Sequence, residues 1–552
     1  MNFRFKLLIG LIALSSAVFA QTKAPDNWFN LDASDNGING VSTEKVYSNL
    51  LKGKKSQTVI VAVIDGGVDP EHEDLKDIMW TNPREIPGNG IDDDGNGFID
   101  DVHGWNFLGG KDGRSVHHET LEMTRVYARM KPKYENADST KLSKKEKMEY
   151  RQYVSMKKDI ETNLQEAQEG LAEMEGTKTM IGNAMEAMEK ELMGKPLTKE
   201  AVEAVNAGTN QNLVIAKNIL SRRMAAGKDV TTFKIVQDDL MEQIQEGLDY
   251  YGAKAKYQYN VDYNPRKDIV KDDPNNSQEH IYGNGDVKGP DAFHGTHVAG
   301  IIGAVRTNDK GIKGVADNVR IMGVRCVPDG DERDKDVANA IIYAVDNGAQ
   351  VINMSFGKSY SWDKDAVDKA VKYAMAKDVL LVHAAGNDGK NNDSEHNNFP
   401  TARFDKAGWF SPKKAKNWIE VGALSWKKDA ESVANFSNYG AKNVDVFAPG
   451  VDIYSTAPDG KYKNASGTSM ASPVTAGVAA VIRSYFPELT AQQVKECIEN
   501  SVVKQDFKVK RPGGEEQVPF STLSRTGGTV NAFKAVQLAG QMKGKKKIAP
   551  RA

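Results

Sequence analysis

Residues 58–64, Thr-Val-Ile-Val-Ala-Val-Ile, carry no charge and are mostly β-branched. A strand with one wet face alternates polar and apolar side chains. A run without that alternation belongs to a sheet covered on both faces, the usual state of a parallel sheet flanked by helices. Comparable, largely apolar runs recur at 321–324, 351–354, 379–385 and 418–424, with helical periodicity between, as at 336–347 and 362–376. This alternation predicts a three-layer α/β domain. In such domains ligands sit at the carboxyl ends of the strands, so the residues directly after each run are the ones to inspect.

The stretch from Ser115 to Gly252 departs from that rhythm. Tyr153, Met156, Ile160, Leu164, Ala167, Leu171 and Met174 step by three or four, and Ile181, Met185, Met188 and Leu192 resume the spacing. That is a heptad-like seam. Gly194-Lys-Pro196 ends it, and Phe233, Val236, Leu240, Ile244 and Leu248 supply another stripe. An inserted α-helical hairpin or small bundle is expected over 115–258, between body segments 56–114 and 259–541. Residues 21–55 read as an N-terminal extension and 542–552 as a basic, solvated tail.

Charged residues form 27% of the 552, and the formal net charge is −2. That balance offers no nucleic-acid surface. Arg4 and Lys6 precede an apolar run, Leu7 to Leu14, and Val18-Phe19-Ala20 ends in the small residues of a cleavage site. Residues 1–20 are therefore expected to be a secretory signal, too short for a membrane anchor. The mature chain is expected in the periplasm or outside the cell, without an integral anchor. Cys326 and Cys497 are the two cysteines. Each sits in an apolar pattern and reads as a buried free thiol.

The segment "NASGTSMASPVTAGVAAV" at 464–481 places small hydroxyl residues before an apolar helix. Such residues are N-caps in most proteins. A serine nucleophile needs a base, and the base needs a carboxylate. Asp65 ends the first buried run, His294 opens "HGTHVAG", and Asn387 follows "VLLVHAAG". Each has a plain alternative: a turn-forming Asp, an αL-turn Asn, or His294 and His297 as an i, i+3 metal pair. The last lacks the Glu of the zincin spacing.

Asp65 in "VAVIDGGVD", His294 in "HGTHVAGI", Asn387 in "AAGN" and Ser469 in "GTSMASP" resemble the subtilisin-like serine peptidases, the subtilases. The order Asp, His, Ser is that of subtilisin. The resemblance spans roughly 56–114 and 260–541, including "NMSFG" at 353–357 and "GGTVNAFKAV" at 527–536. It implies a subtilisin-like α/β fold with a mostly parallel sheet, and endopeptidase action on protein or peptide substrates. Ser469 is then the nucleophile, His294 the general base and acid, Asp65 its orienting carboxylate, and Asn387 an oxyanion donor. Ser355, Phe356 and Gly357 would pair an extended substrate, with Ala384 and Gly386 beside them. Three departures stand out. Gly66 replaces the Ser or Thr that commonly follows the Asp, Val474 replaces a common His, and Gln21–Gln57 is too short for a folded propeptide. The insert falls between the Asp strand and the His helix, so a lid, an inhibitory element or a partner-docking arm stand beside the plain reading of a packed bundle.

"GNGIDDDGNGFIDD" at 88–101 sets Asp92, Asp94 and Asn96 at alternate positions before Gly97. Alternating oxygen donors around a Gly turn suit Ca²⁺, giving Asp92, Asp94, Asn96, Phe98, Asp100 and Asp101 as a candidate structural site. His103 stands where an EF-hand has its last Glu. In "PDGDERDKD" at 328–336, Asp329, Asp331, Glu332 and Asp334 read equally as selectors for basic substrate residues or as a solvated acidic loop. Two other functions remain open at this stage: a weakly catalytic homologue that binds peptides, and a metal-dependent hydrolase using His294, His297 and the Asp cluster.

Overall fold

The computed structural model describes residues 24–394, 398–405 and 412–546. The expected signal and the end of the basic tail lie outside them. Seven strands build the centre of the fold: β1 (Val59–Asp65), β2 (Gly104–Asn106), β3 (Val319–Arg325), β4 (Val351–Met354), β5 (Leu380–Ala384), β6 (Trp418–Leu424) and β7 (Val446–Pro449). They run in the order β2-β3-β1-β4-β5-β6-β7, continued by Gly528–Thr529 and Val503–Lys504. All neighbours are parallel except the last pair. Burial on both faces explains the uninterrupted apolar runs. Val61, Val63, Leu380, Val382 and Ile419 face one core with the helices Phe293–Gly303 and Thr468–Tyr485. Ala62, Ile64, Ile352, Met354 and Leu381 face the other, with Asp334–Asp346 and Lys364–Ala376. Because β1, β4 and β5 are adjacent, their carboxyl ends deliver Asp65, Ser355 and Asn387 to one rim.

The N-terminal extension is part of this body. Trp28 and Phe29 are fully buried in the first core, and the Trp28 indole donates to the Asp452 carbonyl at 3.2 Å. Burying an aromatic of that size stabilises by about 1.5–3 kcal/mol. A hairpin, Ile453–Ala457 with Lys461–Ala465, closes over the helix Phe293–Gly303, where Thr456 and Ser455 donate to the carbonyls of Thr296 and His297 at 2.7 and 2.8 Å. Cys326 and Cys497 are free and buried.

Tyr127–Val261 forms a second compact unit. Its helix Lys144–Leu192 starts on a Ser143–Glu146 capping box and buries Tyr153, Met156, Ile160, Ala167, Ile181, Met185, Met188 and Leu192 of the anticipated seam. Gln211–Ala225 and Phe233–Ala253 complete its core. Residues 115–126, expected in the insert, belong instead to the sheet-bearing unit. Glu119, Glu122 and Arg125 look like solvated helix but are buried as ion pairs, which hydrophobic periodicity cannot register. The acidic run at 328–336 is not solvated throughout, although Asp329 and Asp331 stay partly exposed. Glu332, Asp334 and Asp336 are buried, and Lys358 lies 2.9 Å from Asp334 while Arg266 lies 2.7 Å from Asp336.

Candidate active site

Asp65 terminates β1 with its side chain 3% exposed. Both its oxygens reach Nδ1 of His294, at 2.8 and 2.9 Å. The Gly66 N–H donates to one of them at 2.7 Å, so the main chain supplies support where the family's hydroxyl is missing. Burial pushes the His294 imidazole down, but the Asp65 charge and hydrogen bond, helped by Asp291, outweigh it and hold the pKa above the ordinary histidine value. With Nδ1–H given to the carboxylate, Nε2 is left as the proton acceptor.

Ser469 is the second residue of the helix Thr468–Tyr485, which follows Gly467. The first N–H groups of a helix have no partner within it, so the Ser469 amide is available to an anion. Asn387 stands beside it: its carboxamide oxygen accepts from the Thr468 N–H at 2.9 Å and hydroxyl at 3.0 Å. That fixes the amide orientation and leaves Nδ2 as a donor. The Ser469 hydroxyl itself donates to the Ser355 carbonyl at 3.0 Å. The Ser355 hydroxyl returns a bond to the Ser469 carbonyl at 2.8 Å, and Asn353 holds Ser355 and Ser472 behind them. Ser469 and the segment 355–357 are thereby tied together. Lys358, next to Gly357, is buried among Asp334, Glu122 and the Glu332 carbonyl, which pins the far end of that segment.

Ser355, Phe356 and Gly357 face Ala384 and Gly386 across a gap that sequence reasoning left empty. Asn398 fills it. Its amide donates to the Ala384 carbonyl at 2.9 Å, and a Cβ on Gly357 would collide with its side chain while one on Gly386 would approach it at 3.3 Å. Asn398 follows no strand directly and carries no motif, so only the fold reveals it. A second omission lies on the opposite side of the cleft. A cavity of about 320 Å³ joins Asp65, His294, Ser355 and Phe356 to His117 and Asp329.

His297 does not converge with His294. It is fully buried, its Nε2 sits 3.0 Å from the carbonyls of Ile453 and Lys463, and burial holds its pKa at about 4. The metal-pair reading fails on that geometry. The acidic loop at 88–101 divides. Asp92 and Asp94 come together with Glu85, one oxygen from each lying within 4.8 Å of the others. Asp100 instead accepts from the amides of Gly88 and Gly90. Asp101 is buried on Asn82, Asn96 and Tyr343, and burial pushes its pKa to about 6. Asn96 caps the turn through Phe98 N–H, while the Phe98 ring packs on Trp105 and Tyr343.

A model of the subtilase family matches residues 56–521, and the chain belongs to that family of serine peptidases. It is 44% identical over 192 residues to the thermophilic serine proteinase of Bacillus sp. strain AK1, covering 35% of this chain and 42% of that protein. To subtilisin DY of Bacillus licheniformis it is 37% identical over 209 residues, 38% of this chain and 69% of the relative. To thermitase of Thermoactinomyces vulgaris it is 37% identical over 250 residues, 44% and 75% respectively. A solved protease from Pseudoalteromonas arctica aligns with 47% of this chain and 79% of its own at 27% identity, with a TM-score of 0.37. Among the described residues, no helix is long and apolar enough to cross a membrane.

Proposed function

We propose that this subtilase is an exported endopeptidase that cleaves peptide bonds through an acyl-enzyme on Ser469. The observation that carries the reading is the two-oxygen clasp of Asp65 on His294 Nδ1 at 2.8 and 2.9 Å, beside an Asn387 amide already oriented by Thr468. Ser469 leaves the Ser355 carbonyl when substrate occupies the cleft, gives its proton to His294 Nε2 and attacks the scissile carbonyl. The developing oxyanion takes hydrogen bonds from Asn387 Nδ2 and the Ser469 N–H. His294, stabilised as imidazolium by Asp65, then protonates the leaving amine, and water repeats the sequence in reverse.

The substrate lies extended along Ser355–Gly357 as an added strand. Asn398 makes the floor between Gly357 and Gly386 polar and shallow, which favours small or polar side chains there over large aromatic ones. For calcium, three carboxylates make a suitable hard-cation set, so Glu85, Asp92 and Asp94 are the proposed ligands. The Arg84 guanidinium, 2.9 Å from Asp94, competes for part of that charge, which points to a weak structural site. The helical unit is proposed as a packed bundle without a catalytic group.

The test is labelling of the purified protein by a fluorophosphonate, beside a Ser469→Ala variant, with and without calcium. Labelling is expected in the parent, absent in the variant, and retained without calcium at a lower melting temperature. A parent that stays unlabelled, or a variant that still labels, overturns the assignment.

A further inference from the structure

We propose that His117, His118 and Asp329 form a binding site for a divalent transition-metal cation of the zinc class, and that its occupation closes the catalytic cleft. The closing step rests on the peptidase reading above; the binding site does not. The three side chains come from two segments held in register by the main chain. Glu119 N–H donates to the Asp329 carbonyl and Asp329 N–H to the His117 carbonyl, each at 2.8 Å. Arg325 adds a rigid link to the catalytic loop, donating to the Val116 carbonyl and the Gly66 carbonyl, both at 2.6 Å. The cluster is therefore placed by the body of the fold and not by the chance meeting of surface side chains.

One ligand atom from each of the three residues lies within 4.8 Å of the other two. His118 Nδ1 and Asp329 Oδ2 are 2.8 Å apart, and the two imidazoles stack with centroids 4.2 Å apart. Zinc binds nitrogen and carboxylate oxygen at about 2.0–2.2 Å, which sets tetrahedral donors roughly 3.4 Å from one another. Rotations of the His117 and Asp329 side chains supply the remaining closure. Two imidazoles and a carboxylate suit zinc, copper or nickel and not calcium, which prefers oxygen. For His118 Nδ1 to bind the cation, its hydrogen bond to Asp329 Oδ2 is given up and the ring binds as the Nε2–H tautomer, both freed atoms turning to the metal.

His117 and Asp329 line the same cavity as Asp65, His294 and Phe356. A cation and its water there fill space that a substrate side chain needs. The Zn²⁺ titration uses the catalytically silent Ser469→Ala protein, followed by calorimetry, against the double variants that add His118→Gln or Asp329→Asn. Affinity is expected to fall at least tenfold in both, since even outer-shell changes at such sites cost about 10–100-fold. Unchanged melting curves establish that both variants fold. If both bind Zn²⁺ as the Ser469→Ala protein does, the site is overturned. In the active protein, Zn²⁺ is expected to block fluorophosphonate labelling, Ca²⁺ is not, and His118→Gln should raise the half-blocking concentration at least tenfold. Binding at the cluster with labelling undiminished overturns the closing step alone. A parent that never labels sinks the nucleophile assignment instead, and the calorimetry still decides the site.

Discussion

Strand β5 is buried at every position, whereas the 49-residue helix Lys144–Leu192 buries nine side chains, several of them Met or Ala. The charges differ as sharply. In the sheet-bearing unit Arg266, Asp272 and Asp336 pair with no side-chain exposure. In the helical unit Lys190–Glu186 and Lys234–Asp238 are mostly in water. Exposed pairs of that kind contribute about 0–1 kcal/mol, while losing one partner of a buried pair costs about 3–5 kcal/mol. The first unit therefore holds its side chains in arrangements that are costly to break, which positioned proton transfer and oxyanion binding require. The second is a stripe of adaptable side chains, sufficient for a stable shape and unsuited to holding reacting groups.

That contrast is tested first where the body is most exacting. Asp65→Asn keeps the shape but reverses the tautomer preference of His294, and kcat is expected to fall about 10⁴-fold, as in trypsin-type enzymes. The pH profile carries a second reading. As the proposed base, His294 works only when neutral, so activity is expected to fall as pH drops through its pKa. Asp65 and Asp291 hold that pKa above 6.5, so the acid limb of kcat/KM for the parent should lie above pH 6.5 and move lower in Asp65→Asn. A limb that stays put would mean that Asp65 does not set the imidazole. Asn387→Ala comes next, with kcat down about 10²–10³-fold and KM nearly unchanged, a magnitude established for subtilisin itself, a relative within the family. A rise in KM with kcat preserved would place Asn387 in ground-state binding instead.

How legible each unit was follows from the same contrast. Both-face burial leaves an uninterrupted apolar run, so β4 and β6 were bounded to the residue and β1, β3 and β5 within two. Asp65, Asn387 and Ser469 stood out as candidates because each ends or follows a strand or opens a helix at the rim where parallel sheets bind ligands. The seam of the long helix was legible from period alone. What stayed hidden depends on contacts between distant segments. Glu332 and Asp334, open to a solvated reading in the sequence, are buried near Lys358, which comes more than twenty residues later in the chain. Asn398 and His117 carry no pattern and are placed only by the fold. Glu85 joins Asp92 and Asp94 from outside the motif, while Asp100 and Asp101 leave it to satisfy local amides and Tyr343.

The smallest effect on chemistry should come from the seam. Met185 is fully buried in the core of the helical unit, and Met185→Ala removes its packing there. Met→Ala in a core costs about 2–5 kcal/mol, and the lower part of that range is expected because flexible Met and Ala neighbours collapse readily around a small void. Amide exchange in residues 144–192 should quicken accordingly. Fluorophosphonate labelling of Ser469 at 25 °C should not slow, because each atom assigned to the reaction is held by buried strands and helix starts of the other unit. A labelling rate that falls with the stability of the seam would show that the two units share one cooperative structure, and the division of labour drawn between them would fail.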